Sequence, residues 1–351
     1  MNTKLNTNRI KDSAVWSRLS ERLTNSIRCN ASVPDNAHHP ALRDSFPETR
    51  KQIERILVPL DGTVFAEHAV PVALGIAEQW GAALQLVHVL VPTEVLTPFE
   101  MLHAPDAAIK DKKNRMDLYL SKIAHQISAA ASVGVSSAVV LDTDVSHALE
   151  ETYNGATDLV VMATHGRGPL GRFWWGSVAH SLLQRASVPV VLVQGHDEEV
   201  NFTPQSIEHL LLPIDGEKGS ARIVEPLISS GLFVGARHTL LHVTRPELKL
   251  TAYGEKLRSE WMPSHSREAA GMEYLRPLAN SLSQYNRKVE MKVVSSEKPA
   301  WQVVSSHANH RKRTMVVCTY RRARLLERVV WPGMSEHLFR AIKGPLMLVP
   351  S

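Results

Sequence analysis

The stretch that decides the fold is Asp158–Val193, which reads DLVVMATHGRGPLGRFWWGSVAHSLLQRASVPVVLV. The apolar run Leu159–Ala163 has the length and branching of a buried strand, and it leads into a segment rich in glycine, with Gly166, Gly168, Gly171 and Gly176. Ser177 occupies the position expected for a helix N-cap, ahead of an apolar stripe that runs to Arg185. A second apolar run, Val190–Val193, predicts another buried strand. The order strand, loop, helix, strand is typical of a parallel α/β unit.

The glycine-rich segment has the composition of a phosphate-binding loop. Glycines let several backbone N–H groups point at one ligand, and the first turn of the following helix adds unpaired N–H donors and the positive end of its dipole. Arg167 and Arg172 lie inside the segment and could add charge-assisted hydrogen bonds to a phosphate. The alternative interpretation is that the glycines only build a surface turn.

The letters exclude one nucleotide motif and match a second only weakly. A Walker A motif needs Lys and then Ser or Thr after its last glycine, whereas Gly171 is followed by Arg172 and Phe173. Gly166–Gly171 has the spacing of the dinucleotide fingerprint, but no acidic residue ends the next strand at the usual distance. A third pattern runs from a small residue, Ala163, over two residues to Gly166, and over nine more to Gly176 and Ser177. This pattern closely resembles the nucleotide loop of the universal stress protein family, in which the small residue is a glycine.

The composition is that of a globular chain long enough for two domains. Its 351 residues are 44% hydrophobic and 21% charged, which is ordinary for a folded protein. The net charge of +5 is spread along the chain, so we expect no specific nucleic acid partner. Cys29 and Cys318 lie in dissimilar contexts, so neither a disulfide framework nor a metal site is predicted. Because no signal core and no bilayer-length apolar segment is visible, we expect a cytoplasmic protein without a membrane span.

Residues 1–50 are predicted to form a flexible N-terminal extension, since polar residues and prolines are abundant there. Within it Trp16, Leu19, Leu23 and Ile27 fall at helical spacing. A short amphipathic helix is compatible with this pattern, either as a docking or membrane-surface element or as a helix that covers the body or frays in solution.

The rest of the chain is an internal duplication. Residues 55–92 align without a gap on residues 209–246 at a fixed offset of 154. We therefore expect a first domain at 53–194, a linker at 195–206 and a second domain at 207–351. Each copy alternates strands with helices, which predicts an α/β fold with two tandem Rossmann-like domains of the flavodoxin-like or HUP type. Each domain should be a five-stranded parallel sheet with helices on both faces, four of them in the first copy.

The two copies differ most in the loop. Where the first copy has Ala163–Gly168, the second has Cys318–Ala323, which lacks the leading glycines. Trp331-Pro332-Gly333-Met334 takes the place of Trp175-Gly176-Ser177. The proline and the bulky side chains should obstruct close approach of the backbone to a triphosphate, and Met334 offers no hydroxyl, so a degenerate nucleotide site is expected in the second domain. The alternative is that a group of arginines holds an anion through side chains alone, namely Arg321, Arg322, Arg324 and Arg328.

The resemblance to universal stress proteins covers residues 53–194 well and 207–350 more loosely. It implies that ATP, with or without Mg²⁺, lies across the carboxyl ends of the strands of the first domain. Carried over position by position, the residues that border the adenosine would be Pro59, Asp61, Gly62, Thr63 and Val89. Those that wrap the ribose and phosphates would be Ala163, Thr164, His165, Gly166, Arg167, Gly168, Gly176, Ser177 and Val178. Family members commonly dimerise through the last strand, so Val190–Val193 and Leu346–Val349 could pair within one chain as a pseudo-dimer, and a homodimer is also open.

Three residues have a second interpretation that is structural. Asp61 could equally be the cap of the helix that starts near Thr63. His88 and His242 lie in apolar strands, which favours hydrogen-bonded core histidines over ligands. His165 invites a role as general base, but the sequence places no carboxylate partner beside it, so no catalytic residue is predicted.

The leading functional hypothesis is an ATP-binding module that regulates a stress response, in which binding changes the order of a loop and thereby contacts with an unknown protein partner. The first alternative is a slow ATPase or another nucleotide-transforming enzyme, although the absence of a Walker lysine predicts poor turnover. The second alternative is a nucleotide-free interaction scaffold, which predicts that ATP does not raise the melting temperature.

Overall fold

A computed structural model of the chain describes most of the two duplicated domains. The described residues are 53–103, 105–153, 157–165, 176–215, 223–229, 233, 235–253, 256–262, 265–285, 287–320 and 334–350. The predicted N-terminal extension therefore lies outside them, as do the predicted loop residues Gly166, Arg167 and Gly168 and the arginine group of the second copy.

The first domain has five strands and seven helices among its described residues. The strands are β1 (Arg55–Pro59), β2 (Ala83–Leu90), β3 (Val135–Leu141), β4 (Leu159–His165) and β5 (Val190–Gly195). The helices are α1 (Val64–Glu67), α2 (Ala69–Trp80), α3 (Pro92–Val95), α4 (Pro98–His103), α5 (Pro105–Ala130), α6 (Val145–Tyr153) and α7 (Gly176–Arg185). The expectation of four helices was wrong. The helix after Thr63 is divided into two at His68. Two further short helices, α3 and α4, begin at Pro92 and Pro98, and the first turn of a helix is where proline is tolerated.

The second domain repeats this order and adds a hairpin. Its strands are β6 (His209–Ile214), β7 (Arg237–Thr244), β8 (Glu247–Tyr253), β9 (Lys256–Met262), β10 (Lys288–Ser295), β11 (Thr314–Tyr320) and β12 (Leu346–Pro350). Its helices, within the described residues, are α8 (Val224–Ser229), α9 (His265–Gln284), α10 (Ala300–His310) and α11 (Met334–Ala341). β8 and β9 pair with each other in a separate antiparallel sheet. This hairpin was not predicted, because the alignment of the two copies ends at residue 246, directly before it.

The other ten strands form one sheet in the order β10-β7-β6-β11-β12-β5-β4-β1-β2-β3. Within each domain the five strands are parallel, which confirms the predicted fold class. The halves join through β5 and β12, which run antiparallel with Leu192 opposite Leu346 and Val190 opposite Leu348. This is the pairing expected for the two last strands, and it covers two sheet edges whose backbone N–H and C=O groups would otherwise lack partners.

Side-chain hydrogen bonds cross in both directions from one domain to the other beside this joint. Gln194 on β5 donates its side-chain amide to the Ile342 carbonyl, at 3.1 Å, directly after α11. Tyr320 on β11 donates its hydroxyl to the Ala186 carbonyl, at 3.0 Å, directly after α7. Each domain thus satisfies a carbonyl at the C-terminal end of the other domain's last helix, one of the groups that a helix leaves unpaired.

The connection between the domains packs on helix α2. The backbone N–H of Gln205 donates to the Pro71 carbonyl at 2.8 Å, and Phe202 and Ile207 are buried. A Cβ atom at Gly75 would lie only 1.9 Å from the Gln205 carbonyl oxygen. Glycine inside α2 is therefore required by this close approach, despite its low helix propensity.

The duplication extends to a histidine hydrogen bond, which is buried in the first domain and partly buried in the second. The Nδ1 atom of His88 lies 2.8 Å from the Leu60 carbonyl oxygen, and that of His242 lies 2.6 Å from the Ile214 carbonyl oxygen. Because a carbonyl can only accept, each imidazole carries its proton on Nδ1. The prediction that both histidines are hydrogen-bonded core residues is confirmed.

None of the helices that the structure describes is at once long and apolar enough to cross a lipid bilayer.

Candidate functional site at the carboxyl ends of the first sheet

Strands β1 and β4 separate from each other before either strand ends. β1 pairs with β2 along its whole length, but with β4 only at Ile56 and Leu57. β4 meanwhile stays paired with β5 as far as His165. The strand order reverses between β1 and β4, because the chain moves outward through β2 and β3 on one side and through β4 and β5 on the other. In open α/β sheets, ligands bind outside the carboxyl ends of the strands at such a switch point.

The turn after β1 presents an exposed carboxylate. Asp61 Oδ1 accepts two hydrogen bonds from Thr63, from its backbone N–H at 2.9 Å and from its hydroxyl at 2.6 Å. Gly62 between them has φ +87°, a conformation that favours glycine. The Thr63 hydroxyl oxygen accepts from the Ala66 N–H at 3.3 Å, so Thr63 is the N-cap of α1. The interpretation of Asp61 as the cap was therefore wrong: Asp61 holds the capping residue, and its Oδ2 has no hydrogen-bond partner among the described residues.

The other predicted residues that the structure describes reach the same edge of the sheet from four elements, β1, β2, β4 and α7. Val89 lies near the end of β2 and pairs with Val140 of β3. Ala163, Thr164 and His165 end β4, directly before the undescribed loop. Pro59 is the last residue of β1 and has no N–H to donate. The first residues of α7 follow the loop, namely Gly176, Ser177 and Val178.

Ser177 is the second residue of α7, so the predicted capping role was wrong. Its backbone N–H instead belongs to the first turn, where N–H groups have no intrahelical acceptor. Thr164 adds a polar atom to this end of β4, since its hydroxyl is buried and has no hydrogen-bond partner among the described residues. Both groups are available to a ligand or to the loop itself.

Two residues of helix α5 that sequence reasoning missed cover the Asp61 turn. The sulfur of Met116 would lie 3.8 Å from a Cβ atom built on Gly62. Tyr119 donates its hydroxyl to Glu67 Oε1 at 3.0 Å. Burial raises the pKa of Tyr119 well above its ordinary value, and the carboxylates of Glu67 and Asp61 raise it further, so this phenol keeps its proton. A sequence signal existed, because α5 and α9 carry tyrosines at matching positions, 119 and 274.

In the second domain a thiol, that of Cys318, lies near the end of the corresponding strand β11. Burial raises the pKa of Cys318 to about 12, and the Asp215 carboxylate adds to the shift. Burial and then Asp215 also raise the pKa of Tyr274, as in the first domain. Cys318 stands where the first copy has Ala163. A thiol that stays protonated is a poor nucleophile and a poor metal ligand, so Cys318 adds no chemistry here.

One mixed cluster of metal-type ligands follows β3. Asp142, His147 and Glu151 each place a side-chain ligand atom within 4.8 Å of the others, the one such group of three in the part of the chain that the structure describes. His147 Nδ1 lies 3.0 Å from Asp142 Oδ2, which raises the pKa of His147 and lowers that of Asp142. Because His147 and Glu151 are largely exposed, the cluster is accounted for as a surface ion pair.

Comparison with known proteins agrees with this architecture. The sequence profile of the universal stress protein family matches residues 52–194 and 206–350. A universal stress protein of Mycolicibacterium smegmatis is 30% identical over 169 residues, a match that covers 47% of this chain and 55% of that protein. A universal stress protein of Thermus aquaticus is 30% identical over 142 residues, or 40% of this chain and 97% of that protein. The match thus spans about half the length of the mycobacterial relative.

Among solved structures, a universal stress protein of Archaeoglobus fulgidus has a similar fold over both domains. Its TM-score is 0.57 at 16% identity, and the superposition covers 84% of this chain and 98% of that chain. At this identity the likeness concerns the fold alone, whereas the two profile matches account for most of the sequence. The chain therefore belongs to the universal stress protein family, as a member with two family domains in tandem.

Proposed function

We propose that the first domain binds an adenine nucleotide, ATP in the first instance, and that the protein acts as a regulatory module in a stress response. The observation that carries this proposal is the separation of β1 from β4 at the switch point of the first sheet, directly below the exposed carboxylate of Asp61. Nucleotide binding would alter contacts with a protein partner by changing the order of the loop after β4. A cytoplasmic location, a homodimer and a degenerate second domain stay predictions from the sequence.

The chemistry of the described residues fits the nucleoside half of the ligand. Ribose hydroxyls are hydrogen-bond donors, and a carboxylate is an acceptor. The Asp61 carboxylate is exposed and held in place by two hydrogen bonds from Thr63, so its second oxygen is available without a large loss of side-chain entropy. Val89, at the end of the neighbouring strand, is the apolar residue that would border the base.

Among the residues that the structure describes, the first turn of α7 is the part of the chain that would bind the phosphates of the nucleotide. Its backbone N–H groups and the positive end of the helix dipole favour an anion, and bound phosphates supply acceptors for them. Gly166, Arg167 and Gly168 belong to the proposed cradle and lie outside the described residues. No residue of this chain is assigned a catalytic role, so the nucleotide would act as a bound ligand.

The decisive experiment exploits the duplication. Asp61→Ala and Asp215→Ala remove the same side chain from equivalent turns of the two domains. Measured by isothermal titration calorimetry, ATP should bind to the Asp61→Ala protein about tenfold or more weakly than to wild type, which corresponds to the loss of one hydrogen bond to a charged group. The Asp215→Ala protein is the matched control and should bind ATP as wild type does.

Equal weakening by both substitutions, or none by either, would contradict a nucleotide site in the first domain. If ATP binds neither variant nor the wild type and does not raise its melting temperature, the scaffold alternative is correct instead.

A further inference from the structure

A polar pocket lies in the second domain, near the amino ends of its strands. It has a volume of about 330 Å³, at the lower end of the range for small-molecule sites. Three strands form its floor, β6, β7 and β10, and the C-terminal end of α10 forms its wall. Its lining residues are His209, Leu211, Thr239, Glu290, Lys292, Ser306, His307, His310 and Arg311. Because β6 contributes His209 and Leu211 from its first half, the pocket is separate from the proposed nucleotide site, and the inference does not depend on that site.

The charged floor of this pocket is particular to the second domain. Thr239 stands beside Glu290 in the register of β7 and β10, and Lys292 follows two residues later. At the matching place in the first domain, Gln85 stands beside Ser136, and two residues later comes Ala138. The first-domain sheet thus forms without charges at these positions, so the fold itself does not require Glu290 and Lys292.

Part of the lining is already satisfied within the pocket. Arg311 forms an ion pair with Glu290 at 3.4 Å, and the Thr239 hydroxyl donates to the same carboxylate at 3.4 Å. The imidazole of His209 contacts the hydroxyls of Thr314 and Thr239, at 3.1 and 2.8 Å. These contacts hold the floor in one arrangement, and they use the single carboxylate of the lining.

The rest of the lining offers positive charge and donors. Lys292 and Ser306 have no side-chain partner within the described ranges. His307 and His310 donate from Nδ1 to the carbonyls of Val303 and Ser306, at 2.8 and 2.5 Å, and these bonds offset the partial negative charge at the C-terminal end of α10. Their Nε2 atoms have no hydrogen-bond partner among the residues that the structure describes. With Glu290 compensated by Arg311, the ammonium of Lys292 is the uncompensated charge of the pocket.

Two further basic residues lie level with His209 on strands β7 and β10. Arg237 stands opposite His209 on β7, and Lys288 stands opposite Arg237 on β10. The equivalent residues of the first domain, Ala83 and Gly134, carry no charge. The positive field of these side chains raises the local concentration of small anions around the pocket.

We propose that this pocket binds a small anionic metabolite through a phosphate or carboxylate group. Lys292 is the principal charge partner of the anion. Arg311 contributes N–H donors that its ion pair with Glu290 leaves over, and the Ser306 hydroxyl supplies a neutral hydrogen bond.

The test is a titration of the full chain with inorganic phosphate and, separately, with citrate, at constant ionic strength and followed by calorimetry. We expect at least one of the two anions to bind, and their ranking to tell a phosphate site from a carboxylate site. Lys292→Gln should weaken that binding about fivefold or more, because it removes the uncompensated charge. Glu290→Gln should strengthen it about two- to fivefold, because it removes the one carboxylate of the lining.

Lys122→Gln is the matched control, since Lys122 is an exposed lysine on α5 of the first domain and should leave the titration unchanged. The proposal is overturned if neither anion binds the wild type, or if Lys122→Gln weakens binding as much as Lys292→Gln does. It is also overturned if binding survives Lys292→Gln unchanged, since the anion would then occupy another site such as the loop of the first domain. Opposite responses to Lys292→Gln and Glu290→Gln, with correctly folded variants by circular dichroism, would establish it.

Discussion

The two domains satisfy the same pair of backbone N–H groups in different ways. In the first domain, Asp158 Oδ2 accepts from the N–H groups of Glu54 and Arg55, at 2.9 and 3.2 Å. In the second domain, the equivalent N–H groups of Glu208 and His209 donate to the backbone carbonyl of Arg313, at 3.1 and 3.3 Å.

The substitution of a carbonyl for a carboxylate has a conformational cost. Arg313 has φ +57°, a region that residues with a Cβ rarely adopt. After the duplication, the backbone frame thus kept its hydrogen bonds while the side chains that supply or surround them changed. Differences of function between the domains are therefore expected at side chains on a common frame, at the carboxyl edge in the first domain and in the polar pocket of the second.

The largest expected effect tests the connection between the domains. Gly75→Ala would place a methyl group 1.9 Å from the Gln205 carbonyl oxygen, so the linker must move away from α2. We expect the free energy of unfolding to fall by about 3 kcal/mol in urea denaturation, despite the better helix propensity of alanine. Ser128→Ala, an exposed position on α5, is the control and should change it little. An unchanged Gly75→Ala protein would mean that the linker is not packed on α2.

A loss of stability at acid pH that is caused by buried histidines should arise in the second domain. Burial, and then the neighbouring Arg287 guanidinium, lower the pKa of His238 to about 4, whereas an unfolded histidine titrates near 6.5. As the pH falls, the unfolded chain takes up this proton before the folded one does. The stability is therefore fully present above about pH 6.5 and is lost toward about pH 4, by up to about 3 kcal/mol for this residue. The first domain has Leu84 at the equivalent position.

The measurement is the urea midpoint across that pH range for wild type and His238→Gln. Glutamine offers an acceptor to Arg287, which donates to His238 Nε2 at 2.9 Å, but it does not titrate. We expect a flatter pH profile for the variant, with the remaining slope owed partly to His209, whose pKa is also lowered to about 4 by burial and Arg311. An equally steep profile in both proteins would remove His238 from the explanation.

The smallest effects compare the two acceptors of the equivalent backbone N–H groups, the Asp158 carboxylate in the first domain and the Arg313 carbonyl in the second. Asp158→Ala should lower the free energy of unfolding by about 1–2 kcal/mol, because two N–H donors lose their acceptor. Arg313→Gly keeps its carbonyl and relieves the positive φ, so it should be neutral or stabilising by about 0.5 kcal/mol, although the exposed ion pair with Glu208 is lost. Urea denaturation of both variants checks the signs. If Arg313→Gly is as costly as Asp158→Ala, the arginine side chain matters more than its carbonyl.

Much of this architecture could be predicted from the letters. Strand positions followed from apolar runs: the strands predicted at Leu159–Ala163 and Val190–Val193 are observed as β4, Leu159–His165, and β5, Val190–Gly195. The hydrogen-bonded roles of His88 and His242 followed from their apolar strands. What failed was local geometry: the cap of α1 is Thr63 rather than Asp61, since competing short side chains at the start of a helix cannot be ranked without coordinates.

By itself the sequence determined the duplication, the α/β class and the edge of the sheet where the predicted site residues lie, because these depend on periodicity and on the order of elements along the chain. Only the tertiary structure decided the continuous ten-stranded sheet, the docking of the linker at Gly75 and the polar pocket around Lys292. The physical reason is that close approaches, pockets and hydrogen-bond partners join residues far apart in sequence, and no local pattern encodes which of them meet.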